Sequence, residues 1–190
     1  MKIYTRTGDK GLTKIFGNKV CKKDDIRIEC NGKLDEANSF IGLLSTKLEE
    51  DDEWQEGLLR IQTDIMNMMS LIATHSSVRG KNKVDRPVDG PEFCEQWIDK
   101  MLNEMPEPHN WFILPRGNEI SALCHVVRTT VRTVERRLWT LNGEDPVEEF
   151  ILKYVNRLSD LFFVLARYAL YKAQIPEEKF RPFRTRYVKK

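Results

Sequence analysis

Residues 119–142 read EISALCHVVRTTVRTVERRLWTLN, and this stretch decides the fold. Apolar side chains recur in it at steps of three and four residues, which is the spacing of one face of an α-helix. The apolar stripe consists of Ile120, Leu123, Val127, Val131, Val134, Leu138 and Leu141. Asn142 and Gly143 predict the end of this helix. A helix of this length must bury its apolar stripe against other elements, which favours a helical bundle.

Four further stretches have the same periodicity and predict four more helices. They cover approximately residues 32–49, 53–75, 91–105 and 146–174, and the polar stretch 76–90 predicts a loop. The sequence therefore predicts an all-α, five-helix bundle within a single domain of residues 1–190. An irregular N-terminal arm, residues 1–31, precedes the bundle, and a basic tail, residues 175–190, follows it as a solvated or surface-docked extension.

The composition is that of a folded protein, with 41% hydrophobic and 32% charged residues. A net charge of +2 provides no general attraction to nucleic acids or membranes. The first residues lack the apolar segment of a secretory signal, and Arg167 interrupts the longest apolar stretch, residues 161–171. The four cysteines form no C-x-x-C pair, which is typical of reduced thiols. We therefore expect a cytoplasmic protein without a membrane segment.

The N-terminal stretch TRTGDKGLT, residues 5–13, has the composition of an anion-binding loop. Its two glycines permit a tight turn that directs backbone N–H groups at an anion. Asp9 provides a carboxylate for a phosphate-bound Mg²⁺ or one of its waters. The Walker A pattern G-x-x-x-x-G-K-[ST] is absent. Two interpretations remain at this point, a phosphate-binding loop and a polar turn ahead of a short strand.

Arginines recur every four residues on the fourth predicted helix, at Arg128, Arg132 and Arg136. Arg128, Arg132 and Glu135 lie on a flank about 100° from the apolar stripe. Arginine is the residue best suited to bidentate contacts with phosphate or carboxylate. A solvated face with an Arg132–Glu135 pair at i, i+3 explains the same pattern equally well.

Two helices carry a second face besides the one that the core requires. On the fifth helix this face contains Asn156, Asp160, Phe163 and Arg167, and on the first it contains Asp35, Asn38, Gly42 and Ser45. Burial on two sides predicts an oligomer whose sites lie between subunits. The apolar stretch 111–119 that enters the fourth helix is by itself explained as a hydrophobic staple.

Taken together, these segments resemble the ATP:cob(I)alamin adenosyltransferases of the propanediol-utilisation type. The matching segments are TRTGDKGLT at 5–13, KDD at 23–25, Gly32-x-x-Asp35-Glu36, FILP at 112–115, Arg128-x-x-x-Arg132-x-x-Glu135-Arg136, NRLSD at 156–160 and ARY at 166–168. They occur in the family's order along nearly the whole chain. The departures are Arg116 and Asn118 in place of small residues after FILP, and Thr133 where many relatives have a second arginine.

The resemblance implies a ferritin-like bundle that forms a homotrimer with active sites at subunit interfaces. It implies transfer of the 5′-deoxyadenosyl group of ATP to cob(I)alamin, with release of triphosphate. The implied contacts with ATP come from Thr5, Thr7, Gly8, Asp9, Lys10, Gly11, Thr13, Lys23, Arg137 and Asn156, with Glu135 near the phosphates and Mg²⁺.

The implied catalytic residues are Phe112, Arg132, Asp35 and Arg128. Phe112 would press on the lower face of the corrin, Arg132 would contact the nucleotide, and Arg128 would pair with Asp35 across the interface. A reductase and a cobalamin-dependent enzyme are implied as transient partners.

Two other functional classes are compatible with a helical bundle. A non-catalytic cobalamin carrier or regulatory trimer would have no use for an ATP site such as residues 7–13 with Lys23. A nucleic-acid-binding protein that used the arginines of the fourth helix would be more basic and would not place Glu135 among them.

Overall fold

Five α-helices dominate residues 4, 6–106 and 112–181, which are the residues that this computed structural model describes. They are α1 (Ile26–Ser45), α2 (Gln55–Ile72), α3 (Gly90–Glu104), α4 (Glu119–Glu144) and α5 (Glu149–Lys172). In the N-terminal arm, β1 (Leu12–Lys14) pairs antiparallel with β2 (Val20–Lys22). The predicted helical bundle is confirmed, with this small hairpin added to it.

The core forms where α4 packs against both α1 and α5, while α5 also packs on α3 and α1 on α2. The predicted apolar stripe of α4 faces this core: Val127, Val131, Val134, Leu138 and Leu141 are buried, and Ile120 and Leu123 are partly buried. Burying each such side chain contributes about 1.5–3 kcal/mol. None of the helices in the described residues is long and apolar enough to cross a membrane.

Helix α1 begins at Ile26, earlier than the predicted start at residue 32. Asp25 caps the helix, because its carboxylate accepts a hydrogen bond from the backbone N–H of Arg27 (2.9 Å). The apolar periodicity of the sequence starts only after this first turn. The prediction therefore missed the turn that connects the arm to the bundle.

The predicted end of α4 at Asn142 and Gly143 is wrong. Gly143 is helical, and α4 continues to Glu144. A glycine ends a helix when it adopts positive φ, but here the chain leaves the helix at Asp145, which has extended backbone angles (φ −145°, ψ 118°). Pro146 follows and disfavours a helical conformation of the residue before it.

A buried ionic group, which we call the Asp145 cluster, consists of Asp145, Arg27, Ser76 and Arg79. The Asp145 carboxylate accepts hydrogen bonds from Arg27 (2.6 Å), from the backbone N–H of Ser76 (3.0 Å) and from Arg79 (3.4 Å). Burial pushes the pKa of Asp145 up, but hydrogen bonds from Ser76 and Arg27 outweigh this effect and hold the pKa at about 2. The cluster connects the start of α1, the segment after α2 and the α4–α5 connection.

Part of the segment predicted as a loop is helical, since a 3-10 helix covers Ser76–Lys81. Arg167, which the sequence assigns to a second face of α5 for burial in an oligomer, is already buried within the single chain. Arg167 is only 8% exposed, and its Nε lies 2.5 Å from Oε1 of Glu177. Residues 175–181 are docked on the bundle through Glu177 and through a bridge between Ile113 and Lys179. The rest of the predicted tail, residues 182–190, lies outside the described residues.

Candidate active site

The N-terminal loop closes onto the end of the β1–β2 hairpin. The N–H of Gly11 donates to the carbonyl of Gly8 (3.1 Å), and the N–H of Lys23 donates to the carbonyl of Gly11 (2.9 Å). Gly11 has φ +74°, a conformation that glycine adopts without steric cost. The two backbone bonds therefore hold the loop beside Lys23, which comes directly after β2 in the chain.

A cavity of about 570 Å³ opens beside this loop. It is lined by Thr7, Gly8, Leu12, Thr13, Lys14, Val20 and Lys23. The ammonium nitrogen of Lys23 lies 3.0 Å from the point where a side chain at Gly8 would begin, so the glycine permits its close approach. Two lysines and two threonine hydroxyls without a carboxylate among the lining residues favour an anion.

The structure thus brings together Thr7, Gly8, Thr13 and Lys23 from the predicted nucleotide set. Asp9 and Lys10 lie in the exposed turn and do not line this cavity. Thr5 lies outside the described residues.

On the neighbouring flanks of α4 and α5, Asn156 fixes the orientation of Glu135. Nδ2 of Asn156 donates to Oε1 of Glu135 (3.0 Å), and Oδ1 of Asn156 accepts from Arg157 (2.7 Å). The Arg132–Glu135 pair, part of the solvated-face interpretation, does not form among the described residues. Arg132 is exposed, and within the described part of the chain its guanidinium makes no ion pair.

Arg128 is held by a neutral histidine. Nε of Arg128 donates to Nδ1 of His125 (3.2 Å), and His125 is buried. Burial, and then the charge of Arg128, lower the pKa of His125 to about 4, so its ring is neutral at pH 7 and can accept this bond. Burial and the charge of Arg132 lower the pKa of Arg128 as well. This flank of α4 therefore carries two neighbouring guanidinium groups, and Arg132 also interacts electrostatically with Asp160 on α5.

Asp35 and Arg137 differ in exposure and in their contacts within the chain. Asp35 is exposed on α1, and its implied pairing with Arg128 between subunits remains a prediction. Arg137 has a partner in the same chain, because its Nε lies 2.8 Å from Oε1 of Glu29 on α1. This pair joins α4 to the first turn of the helix that follows the arm.

Phe112 lies in the loop that leads into α4. Its side chain is 84% exposed, just before the helix begins at Glu119. Arg132 lies three to four turns further along α4, about 20 Å by the rise of an α-helix.

Sequence reasoning missed Leu12, Lys14 and Val20, which line the cavity from the hairpin. The turn between β1 and β2 contains Gly17 (φ +80°) and Asn18 (φ +61°). A Gly-Asn pair between short stretches of β-forming residues is a hairpin signal, and it could have predicted both strands.

Comparison with known proteins identifies the family. A family model described as cobalamin adenosyltransferase matches residues 3–169. The chain is 38% identical over 170 residues to the corrinoid adenosyltransferase of Bacillus subtilis, covering 88% of this chain and 86% of that one. It is 40% identical over 175 residues to the human corrinoid adenosyltransferase MMAB, covering 90% of this chain and 70% of that one. The chain therefore belongs to the cobalamin adenosyltransferase family.

Solved structures agree with this assignment. One is a phenylalanine-to-alanine variant of the PduO-type ATP:corrinoid adenosyltransferase from Lactobacillus reuteri, complexed with cobalamin and ATP. It has a TM-score of 0.89 and 32% identity, and covers 95% of this chain and 100% of that one. An arginine-to-lysine variant of the enzyme from the same organism, complexed with ATP, has a TM-score of 0.86 and 32% identity, with 94% and 100% coverage.

Proposed function

We propose that this protein transfers the 5′-deoxyadenosyl group of ATP to cob(I)alamin, forming adenosylcobalamin and releasing triphosphate. The observation that carries the proposal is the cavity where Lys23 lies against Gly8, beside the hydroxyl-bearing Thr7 and Thr13. Membership of the family supports the same reaction, and a similar solved structure was obtained with cobalamin and ATP together.

In this reaction the reduced cobalt is the nucleophile. A cobalt–carbon bond forms at the ribose C5′, the bond from C5′ to oxygen breaks, and the electron pair leaves with triphosphate. The protein needs no nucleophile of its own, which agrees with the state of its buried thiols. Burial raises the pKa of Cys30 and Cys124 to about 12, so neither forms a thiolate at neutral pH.

The protein must align the reactants and stabilise the charge of the leaving triphosphate. Lys23, Thr7, Thr13 and the backbone around Gly8 would hold the phosphates at the arm, together with the exposed loop residues Asp9, Lys10 and Gly11 and with Thr5. Arg132 would add a guanidinium to the same phosphates, since it is exposed. Arg137 and Asn156 would complete the nucleotide site.

A Mg²⁺ ion fits the residues that are present if phosphate supplies most of its ligands. The described residues contain no cluster of three or more metal-ligating side chains, and Mg²⁺ is commonly held by one or two carboxylates with phosphate oxygens and waters. Glu135 would be one such carboxylate, because Asn156 holds it on the flank beside Arg132. The ion would supply neutralisation of the triphosphate charge.

Phe112 would act on the corrin rather than on ATP. Its exposed ring has no proton to lose and is free to press on the lower corrin face, which would displace the axial ligand. Four-coordinate cob(II)alamin would result, and this species is easier to reduce to cob(I)alamin. A phenylalanine-to-alanine variant of the similar enzyme was solved in complex with cobalamin and ATP. That substitution supports a role for a phenylalanine at the corrin.

We further infer a homotrimer with its active sites between subunits. The exposure of both the Phe112 ring and Arg132 in a single chain supports this arrangement, because a second copy could complete the surroundings of each. Exposed apolar side chains on three helices, Leu43, Val126 and Phe163, provide surface for such contacts. The Asp35–Arg128 pair would form across this interface.

The cellular setting is also a proposal. We propose a single-domain cytoplasmic enzyme that receives electrons from a reductase and passes its product to a cobalamin-dependent enzyme. The four free cysteines support a reducing compartment.

The test is an anaerobic incubation of the protein with reduced cobalamin, ATP and Mg²⁺, followed by the visible spectrum. We expect conversion to adenosylcobalamin. Absence of conversion together with absence of ATP binding by calorimetry would contradict the proposal, whereas cobalamin binding without conversion would identify a carrier.

Phe112→Ala tests the corrin contact separately. It should reduce turnover sharply and leave ATP affinity nearly unchanged. The matched control is Leu59→Ala, which truncates another exposed apolar side chain, 65% exposed on α2, and should preserve turnover. Equal turnover in the two variants would exclude the role proposed for Phe112.

A further inference from the structure

Arg167 and Glu177 form an ion pair that the proposed reaction does not use. Nε of Arg167 lies 2.5 Å from Oε1 of Glu177, and the side chains are 9% and 18% exposed. Removing one partner from a pair of this kind leaves the other charge poorly solvated and without compensation. The pair therefore fastens residue 177, which lies beyond the end of α5, to the helix itself.

The residues that follow Glu177 bind the backbone around Phe112. The N–H of Phe180 donates to the carbonyl of Phe112 (2.8 Å), and the N–H of Leu114 donates to the carbonyl of Glu178 (2.8 Å). Between these bonds, Ile113 and Lys179 form an antiparallel bridge. We call residues 177–180 the C-terminal clamp.

The other end of the Phe112 loop is fixed by close packing and by a helix cap. Gly117 has φ +133° and lies so near α5 that a side chain there would start 2.4 Å from Cδ2 of Leu170. Asn118 caps α4 by accepting a hydrogen bond from the N–H of Ser121 (2.8 Å). The backbone from 112 to 118 is thus held at both ends, while the Phe112 ring is left exposed.

We propose that Arg167 and Glu177 are positioning residues for the adenosyl transfer, because their ion pair anchors the C-terminal clamp and thereby sets the position of Phe112. The inference rests on the proposed function, in which Phe112 displaces the axial ligand of the corrin. An aromatic ring can do this only if its backbone resists the push, and two backbone hydrogen bonds to an anchored segment provide that resistance. The charge of Glu177 also acts on His125, which accepts a hydrogen bond from Arg128.

The backbone bond is tested by two substitutions at one position. Phe180→Pro removes the N–H that donates to Phe112, whereas Phe180→Ala removes the side chain and keeps that N–H. With ATP bound, we expect Phe180→Pro to lower the fraction of four-coordinate cob(II)alamin, measured by electron paramagnetic resonance, and to lower kcat at least tenfold with KM for ATP unchanged. Phe180→Ala should retain more than half of the wild-type four-coordinate fraction and more than half of the wild-type kcat. Equal losses in the two variants would overturn the proposal.

The anchor is tested by Glu177→Gln, with Glu178→Gln as the matched control. Both remove one carboxylate charge, but Glu178 is exposed and contributes its backbone carbonyl to the clamp. Hydrogen-exchange mass spectrometry should show faster exchange of the peptides containing Leu114 and Phe180 in Glu177→Gln alone, and the four-coordinate signal should fall in the same variant. Unchanged exchange in Glu177→Gln would overturn the anchor.

These measurements separate the inference from the function on which it rests. If the wild-type protein forms no adenosylcobalamin, the proposed function fails, and the exchange of Leu114 and Phe180 still decides whether Glu177 anchors the clamp. If the wild-type protein is active and the exchange of Glu177→Gln is unchanged, only the positioning role fails.

Discussion

In the Asp145 cluster two arginines share a buried carboxylate, whereas on the flank of α4 Arg128 and Arg132 lie beside each other and neither forms an ion pair within the described residues. Arg27 and Arg79 are 5% and 8% exposed and donate to Asp145, Ser76 adds further donors, and the group is satisfied within the chain. Arg132 is exposed, and its charge lowers the pKa of Arg128 after burial does so. The arginines of the first region are buried and paired within the fold, whereas Arg132 in the second region keeps an exposed guanidinium.

This difference has a physical cause. A buried charge is tolerated only when it is paired and hydrogen-bonded, so the Asp145 cluster must complete its contacts during folding. An exposed guanidinium is solvated by water and can stay unpaired until a phosphate replaces that water. Substitutions in the two regions should therefore separate stability from activity.

The largest expected effect is that of Asp145→Ala on stability. The substitution leaves Arg27 and Arg79 buried without their carboxylate, and we expect the free energy of unfolding to fall by about 3–5 kcal/mol. Urea denaturation followed by circular dichroism measures this loss. Glu144→Ala, one residue earlier and exposed, should unfold like the wild type. Equal stability of the two variants would show that the cluster does not hold the fold.

Arg132→Ala should reduce activity and leave stability unchanged, unlike Asp145→Ala. We expect kcat to fall by about 10²–10³-fold, the typical effect of losing one group that stabilises developing charge, with the melting temperature unchanged. Arg136→Ala is the control, because Arg136 is exposed one turn further on and donates to Thr133 (3.0 Å). A parallel loss of melting temperature in Arg132→Ala would place this residue with the structural arginines.

The Asp145 cluster should also make stability depend on pH in the acid range. The folded pKa of about 2 lies below the ordinary value of 3.8, so the contribution is complete above about pH 4 and is lost as pH falls toward 2. Its size is on the order of 2 kcal/mol. We expect the stability difference between the wild type and Asp145→Asn to shrink over this range. A difference that stays constant from pH 5 to pH 2, both variants remaining folded, would contradict the assignment.

The smallest expected effect belongs to Arg137, which combines features of both regions. Its exposed guanidinium already pairs with Glu29 (2.8 Å), so a phosphate contact would have to share it. We expect Arg137→Ala to raise KM for ATP by about tenfold, equivalent to about 1.4 kcal/mol, with kcat little changed. Glu29→Gln removes the same pair and should leave KM for ATP near the wild-type value. A similar rise in both variants would assign Arg137 to the fold alone.

Particular residues show where prediction from the sequence succeeded and where it could not. The stripe from Val127 to Leu141 predicted a buried face, because apolar periodicity reports burial over each turn of a helix. The first turn of α1 and the end of α4 were missed, since Asp25 and Asp145 act there through a cap and a distant ion pair. Arg167 was assigned to a face that an oligomer would bury, because its partner within the chain, Glu177, follows the end of the helix and has no helical register with it.

Some residues of the candidate site could be predicted from the sequence, whereas others depend on contacts between distant parts of the chain. Thr7, Gly8, Thr13 and Lys23 could be named from the sequence, because the residue types of a short loop define its chemistry, and the structure brings them around one cavity. The contribution of Lys14 and Val20 depends on the pairing of β1 with β2, which residue type alone does not define. The contact of Phe112 with the C-terminal clamp depends on residues far apart in the chain.

The sequence by itself determined the five amphipathic helices, a loop with two glycines and the composition of an anion-binding loop, and the family to which the chain belongs. Each of these depends on residue types at short, regular spacing. Only the tertiary structure decided which arginines are buried in an ion pair inside the chain and which stay exposed. Burial and pairing join positions such as Arg27 and Asp145, whose separation in the chain carries no periodic signal. The same type of side chain is therefore buried in an ion pair at Arg27 and exposed at Arg132, where we propose that it binds phosphate.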